Sequence, residues 1–438
     1  MMTPDVCSRH GKDLGNAAER HGVPPLAACS AVLCGRSIAR VTRSSIPWRR
    51  LVLAILIVAL GTQPVFLVGA AFLQLNEDLG FSTTTLGLLT AAFFLTASVS
   101  SAPLGRTVER IGWRTAIRIN AVTSAAVLLG IALFADSTAT LAVLLIIGGL
   151  AYGFANPAAN KSLAERVDPG RRGLIFGIKH AGIPTSTLLA GFAVPALVLT
   201  VGWRATFATT ALLLPVVLAL VPRKDVDEEP IEGADEPGRG AHPMTVPQLA
   251  MLASGSSLAT WAAMSLSIFL VAAAVATGMT EGSAGLLLFA GSAASITARV
   301  TAGAVTDRAR GRGFGGLALL MGLGAIVFSL LPSSTGIVFV ALVLLAFVTG
   351  WGWPGLMTFT VVNANAGTAA ASSAITQAGI FLGAGGGPIL VGWAIDRWSY
   401  NTSWLLVALS LALAAAIVIA VGIRTRAPAP LDAGSLET

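Results

Sequence analysis

Apolar and polar positions separate into blocks along this chain. From Leu51 onward, apolar segments of roughly 20 residues alternate with short polar stretches, and that is the length a helix needs to cross about 30 Å of hydrocarbon at about 1.5 Å per residue. Twelve such segments are predicted to be helical, over 51–74, 84–104, 115–134, 140–163, 173–200 and 204–222, then 246–276, 284–304, 315–332, 337–363, 371–396 and 404–424. The pattern predicts an all-α membrane protein.

Two stretches break the alternation. Residues 1–48 are polar and arginine-rich: through Arg50 there are eight Lys or Arg against three acids. The weak apolar run from Pro25 to Cys34 is a poor core for a signal peptide, so a disordered cytoplasmic tail is expected. Between the sixth and seventh segments, Arg223 to Thr245 sets three basic residues against seven acids, with Pro230, Pro237 and Gly238 to interrupt any helix. This predicts a flexible cytoplasmic linker over 223–245, joining one bundle at 49–222 to a second at 246–424, with a short cytoplasmic tail at 425–438.

Composition agrees with the pattern. Of 438 residues 55% are hydrophobic and 11% charged, with a mean hydropathy of +0.79, whereas about a quarter of a soluble domain is charged. The 48 glycines suit helices that approach closely in lipid. A pI near 10.0 and a charge of +7 would fit a nucleic-acid partner, but the arginines cluster in short loops beside apolar runs. There they set topology, and the bilayer is the partner.

One side of the membrane collects Arg106, Arg110, Arg114 and Arg118, then Arg166, Arg171 and Arg172, then Arg308, Arg310 and Arg312. The loops at 76–83, 135–139 and 277–283 carry almost no Lys or Arg, with Arg204 and Arg397 as exceptions on that side. Both termini are therefore predicted to be cytoplasmic. Trp113, Trp203, Trp398 and Trp404 lie at segment ends, where interfacial anchors are expected.

The chain also repeats itself. Gly105-Arg106-Thr107-Val108-Glu109-Arg110 returns, altered, 198 residues later as Gly303-Ala304-Val305-Thr306-Asp307-Arg308. Gly80 and Gly278, and Gly87 and Gly285, share that shift; at a shift of 197, Gly153 matches Gly350, Pro157 matches Pro354 and Ala181-Gly182-Ile183 matches Ala378-Gly379-Ile380. An internal duplication is the reading that follows.

Two six-helix halves, a central polar loop and a G-x-x-x-[D/E]-R motif after the second and eighth helices resemble the major facilitator superfamily over residues of about 48 to 425. The first copy departs from the family pattern in having Glu109 for the usual Asp and Trp113 before Arg114; the second has Arg310 before Gly311. The resemblance implies a monomeric secondary transporter of the plasma membrane, working by alternating access. It further implies that Glu109, Arg110 and Arg114, with Asp307 and Arg308, latch the two halves at the cytoplasmic face. Gly105 and Gly303 would then permit close helix approach. The alternative, that these arginines only set topology, stays open.

Polar side chains deep in apolar segments are the candidates for a substrate cavity. Lys179 and His180 lead, because a Lys at mid-membrane costs roughly 2.5–3.5 kcal/mol and should not face lipid. Lys179 suits an anion and His180 titrates near neutral pH, which makes it the candidate for proton coupling. The competing reading has Lys179 snorkelling to the nearby arginine-rich surface. Pro184 should free a backbone carbonyl and bend the helix. Tyr152 and Asn156, four residues apart, offer a polar edge; Gln63, beside Pro64, needs a buried partner. From the second half come Trp261, Trp353 and Gln377, while Gly383 to Pro388 allows either bending or close packing.

Other classes lack their signatures. A membrane enzyme would need a nucleophile and base or a metal cluster, but of His10, His21, His180 and His242 only His180 lies in an apolar segment. Cys7, Cys29 and Cys34 all precede the first apolar run, no ATP-binding G-x-x-x-x-G-K-[S/T] loop is present, and no cofactor is expected. Within the resemblance, the arginine that many proton-coupled drug exporters carry in the fourth span has no counterpart around Ile147 to Gly153. The sequence points to a small organic anion as the solute, with multidrug efflux as the alternative.

Overall fold

Hydrocarbon offers no water to an open backbone, so each apolar block must close its own hydrogen bonds, which helices do. The computed structural model describes residues 48–164, 172–222, 244–309, 313–365 and 368–425, all within one compact unit, Pro47–Thr438, and no strand occurs among them. The expected tail, most of the linker, and Arg166, Arg171, Arg310 and Arg312 lie outside the described residues.

Eleven apolar helical stretches among the described residues are long enough to cross a membrane. One of them, Gly173–Leu220, has 48 residues and straight would reach about 72 Å, more than twice the hydrocarbon thickness. It turns back at Gly202, whose φ of 81° and ψ of 164° are not helical, so it supplies two spans and the total is twelve. The spans are Trp48–Ala70, Thr83–Ile111, Trp113–Phe134, Thr138–Tyr152 with Ala155–Ala164, Arg172–Lys179 with Gly182–Ala193, and Leu199–Thr210 with Leu213–Leu220. The last six are Val246–Ala276, Glu281–Ala309, Phe314–Leu330, Gly336–Thr349 with Pro354–Ala364, Ala369–Arg397 and Tyr400–Arg424.

The stretch from Gly105 to Arg114, expected as a loop, is mostly helix. The second span continues to Ile111 and the turn is Gly112 alone, at a φ of 79°. The apolar run ended before the helix did.

The duplication read from the sequence has a structural form. Gly80 and Gly278 both stand at positive φ, 64° and 94°, where each ends the helical stretch that precedes the next span. Two residues on, Ser82 and Thr280 each accept a hydrogen bond from the backbone three residues further, at 3.3 Å in both cases. Fourth and tenth spans break at matching places, after Tyr152 and after Thr349. Pro157 and Pro354 follow those breaks; lacking an N–H, each leaves the carbonyl four residues earlier, at Gly153 and Gly350, without its helical donor.

The first and seventh spans form the interior: 83% of the apolar window of each is buried, against 39–56% for the others. Several seams join the first six spans to the last six. Gly69 of the first meets the backbone of Ile268 in the seventh; Gly87 of the second lies on the backbone of Pro388 in the eleventh; and the fifth runs along the eighth through Gly191 on Gly285 and Gly303 on Gly173. No Cβ fits at these contacts without displacing backbone, which is why the glycines are there. Within the last six, Gly383 and Gly387 seat the eleventh span on Ser257 and Trp261 of the seventh.

Arg204, an exception to the arginine pattern, is held in place. Its guanidinium takes the carbonyls of Ala132 and Ala135 at 3.2 and 3.3 Å, pairs with Asp136 at 2.8 Å and stacks on Trp203. It closes the C-terminal end of the third span, where a cation suits the helix dipole.

Candidate functional site

The site is built on broken helices. In the fifth span Pro184 has no N–H to give the carbonyl of His180, and the helix Arg172–Lys179 stops there before resuming at Gly182. In the tenth span the break after Thr349 leaves Trp351 and Trp353 between the two helices. A small cavity, part of it open to solvent, lies between these breaks. Its wall takes Lys179, His180, Tyr152 and Asn156 from the first six spans, and Arg299, Trp353 and Gln377 from the last six. Apolar surface comes from Val58, Ile183, Met264 and Ile380.

Lys179 is 8% exposed and belongs to this wall. No carboxylate lines the cavity, and among the described residues Lys179 has no acidic partner. His180 Nε2 is 3.0 Å from the Thr358 hydroxyl, which places the ring across the seam between fifth and tenth spans. Trp353 is wholly buried, and its indole N–H lacks a protein hydrogen-bond partner. Buried donors left unmade cost free energy, so such groups mark where a ligand or water completes the set.

Arg299 is the residue that sequence reasoning missed. It is 3% exposed, its Nε donates to the Trp351 carbonyl at 3.0 Å, and Nη1 donates to the His180 carbonyl that Pro184 leaves free. The guanidinium lies over the Trp351 ring, 5.0 Å from its centroid. Its signal was present as a single arginine inside an apolar run.

Two expected site residues do not reach the cavity wall. Gln63 is buried, with its Oε1 taken by the Ser186 hydroxyl at 2.8 Å, so its amide ties the first span to the fifth. Trp261 turns toward Gly387 of the eleventh span, because its neighbours Thr260 and Met264, four residues apart, hold the cavity face of the seventh.

At the arginine-rich end, Glu109 pairs with Lys161 of the fourth span at 2.5 Å, inside its own six helices and not across a seam. Trp113 is flanked by two guanidinium groups, Arg50 at 5.4 Å and Arg114 at 5.0 Å from its centroid, and Arg50 also donates to the Ser162 carbonyl at 2.9 Å. The departure from the family motif at Trp113 thus ties the first, third and fourth spans together. Arg110 is exposed at this end. Gly105 is not a close approach here, since a Cβ there would make ordinary contact with Pro157 at 3.8 Å, whereas Gly303 is pressed on the Gly173 carbonyl. The side chains of Asp307 and Arg308 lie outside the described part of the structure.

Twelve apolar spans, with a cavity lined by residues from both sets of six, define a multi-pass membrane protein. The family model of the Major Facilitator Superfamily matches residues 51–270, half of the chain, and the chain belongs to that superfamily. The gallate transporter of Pseudomonas putida is similar to this chain, 29% identical over 179 residues. That similarity spans 40% of this chain and 40% of the relative's length.

Proposed function

We propose that the protein is a secondary transporter that moves a small organic anion, of the class of hydroxylated aromatic carboxylates, across the plasma membrane by alternating access. The observation that carries this is Lys179 and Arg299 in the wall of one cavity that contains no carboxylate. Two buried cations from different bundles need negative charge, and a carboxylate supplies it. The indole faces of Trp351 and Trp353 suit a flat ring, and the donors and acceptors of Tyr152, Trp353, Asn156 and Gln377 suit ring hydroxyls. The likeness to a gallate transporter supports the same class.

Under this reading the arginine-rich end faces the cytoplasm with both termini, the polar 223–245 segment links the bundles, and symport with protons runs through His180. A lipophilic cation, the solute of the multidrug alternative, would meet two positive charges with nothing to offset them. Purified protein in liposomes loaded with gallate or benzoate should exchange the labelled anion, and should not accumulate a labelled lipophilic cation. Cation flux without anion flux would reverse the assignment.

A further inference from the structure

Arg299 holds more than charge. A guanidinium has five N–H donors, and a carboxylate grips it in one of two forks, through Nε with Nη2 or through Nη1 with Nη2. Here Nε, whose single N–H belongs to the first fork, is held by the Trp351 carbonyl, and Nη1 gives one of its two N–H groups to the His180 carbonyl. These two carbonyls lie at the helix breaks of the tenth and fifth spans. The surroundings leave little slack: Gly177 of the fifth span rests on the Arg299 backbone carbonyl, and Gly355 of the tenth rests on Gly177.

We propose that Arg299 is the positioning residue that turns anion binding into movement, because an anion that takes its Nε–Nη2 fork exchanges the Trp351 carbonyl for a carboxylate and so releases the tie that Arg299 makes between the fifth span and the tenth. A charged acceptor forms the stronger hydrogen bond, so the exchange runs toward the anion. The two cations of the site then have different duties. Lys179 ends in a point charge that attracts the solute, while the Arg299 fork reports its arrival to both sets of helices. This inference rests on the anion reading above.

Arg299→Lys separates the two. It keeps the charge, but one ammonium does not reproduce the two edges that meet both carbonyls. Benzoate and gallate should still bind the variant, more weakly for the loss of the fork, while the exchange rate at saturating anion falls more than about tenfold. In the unaltered protein, amide hydrogen exchange at residues 180–187 and 351–357 should quicken several-fold when the anion is added, and in Arg299→Lys it should be fast already and unresponsive. Wild-type flux in the variant, or no change at those amides on anion addition to the unaltered protein, overturns the proposal and leaves anion transport standing. Failure of both anions to bind the unaltered protein would overturn the two together. The amide measurement needs no variant, so it decides even if Arg299→Lys folds poorly.

Discussion

Lys179 and Arg299 line the same cavity from two different bundles, yet only Lys179 stood out in the sequence. Lys179 sits beside His180 and ahead of Pro184, in the middle of an apolar run. Arg299 sits five residues from the expected end of its run at 304, where an arginine reads as interfacial. The helix in fact continues to Ala309, so Arg299 lies ten residues, or about 15 Å, from its end. Gln63 and Trp261 lie off the cavity wall, since neighbouring helical positions differ by about 100° and apolar surroundings give no phase. Of the two cations, Lys179 is tested by truncation. A charge-assisted hydrogen bond contributes roughly 1.5–3 kcal/mol, so Lys179→Ala should cut the exchange of labelled benzoate by more than about tenfold. Lys179→Arg should restore much of it, and membrane insertion should be unchanged in both. Full flux from Lys179→Ala would remove it from the site.

At the scale of the element, the spans were legible because a run of apolar residues fixes a crossing; the breaks were less so. Pro157, Pro184 and Pro354 are all plain in the sequence, but a proline breaks a helix only where another donor reaches the freed carbonyl or the chain opens to a cavity. For Pro184 that something is Arg299, 115 residues further along the chain. Pro64, Pro103 and Pro388, by contrast, stay within continuous helices. Pro184→Ala would return an N–H to the His180 carbonyl in competition with Arg299. A proline in a helix interior costs about 3 kcal/mol, so the variant should melt at a higher temperature, protect its amides over 180–187 more strongly and transport several-fold more slowly. Faster or unchanged transport would show that the break is not used.

For the whole molecule, the number of crossings and the duplication could be read from the chain, but the pairing of second with eleventh and fifth with eighth could not. Glycines declare that a close approach occurs and not with whom. One such pairing carries a charge. The Asp396 carboxylate at the end of the eleventh span accepts from the Thr83 and Thr84 hydroxyls at 2.5 and 2.6 Å and from their backbone N–H groups at 3.2 and 2.8 Å. It thereby caps the N-terminus of the second span across the seam, at the end opposite the arginines. Asp396→Ala should loosen that end: spin labels on Asn76→Cys and Asn401→Cys, both exposed, should shift toward longer separations by pulsed dipolar spectroscopy. An unaltered distance distribution would show that the glycine contacts alone keep it shut. The paired breaks in the fourth and tenth spans bear on how large a passenger can pass. The segments Ala155–Ala164 and Pro354–Ala364 beyond them are stubs of ten and eleven residues. Each stub is about 15 Å long and joined to its span only through a break, so it can pivot there without unwinding the rest of the helix, and the width of that pivot sets the largest passenger.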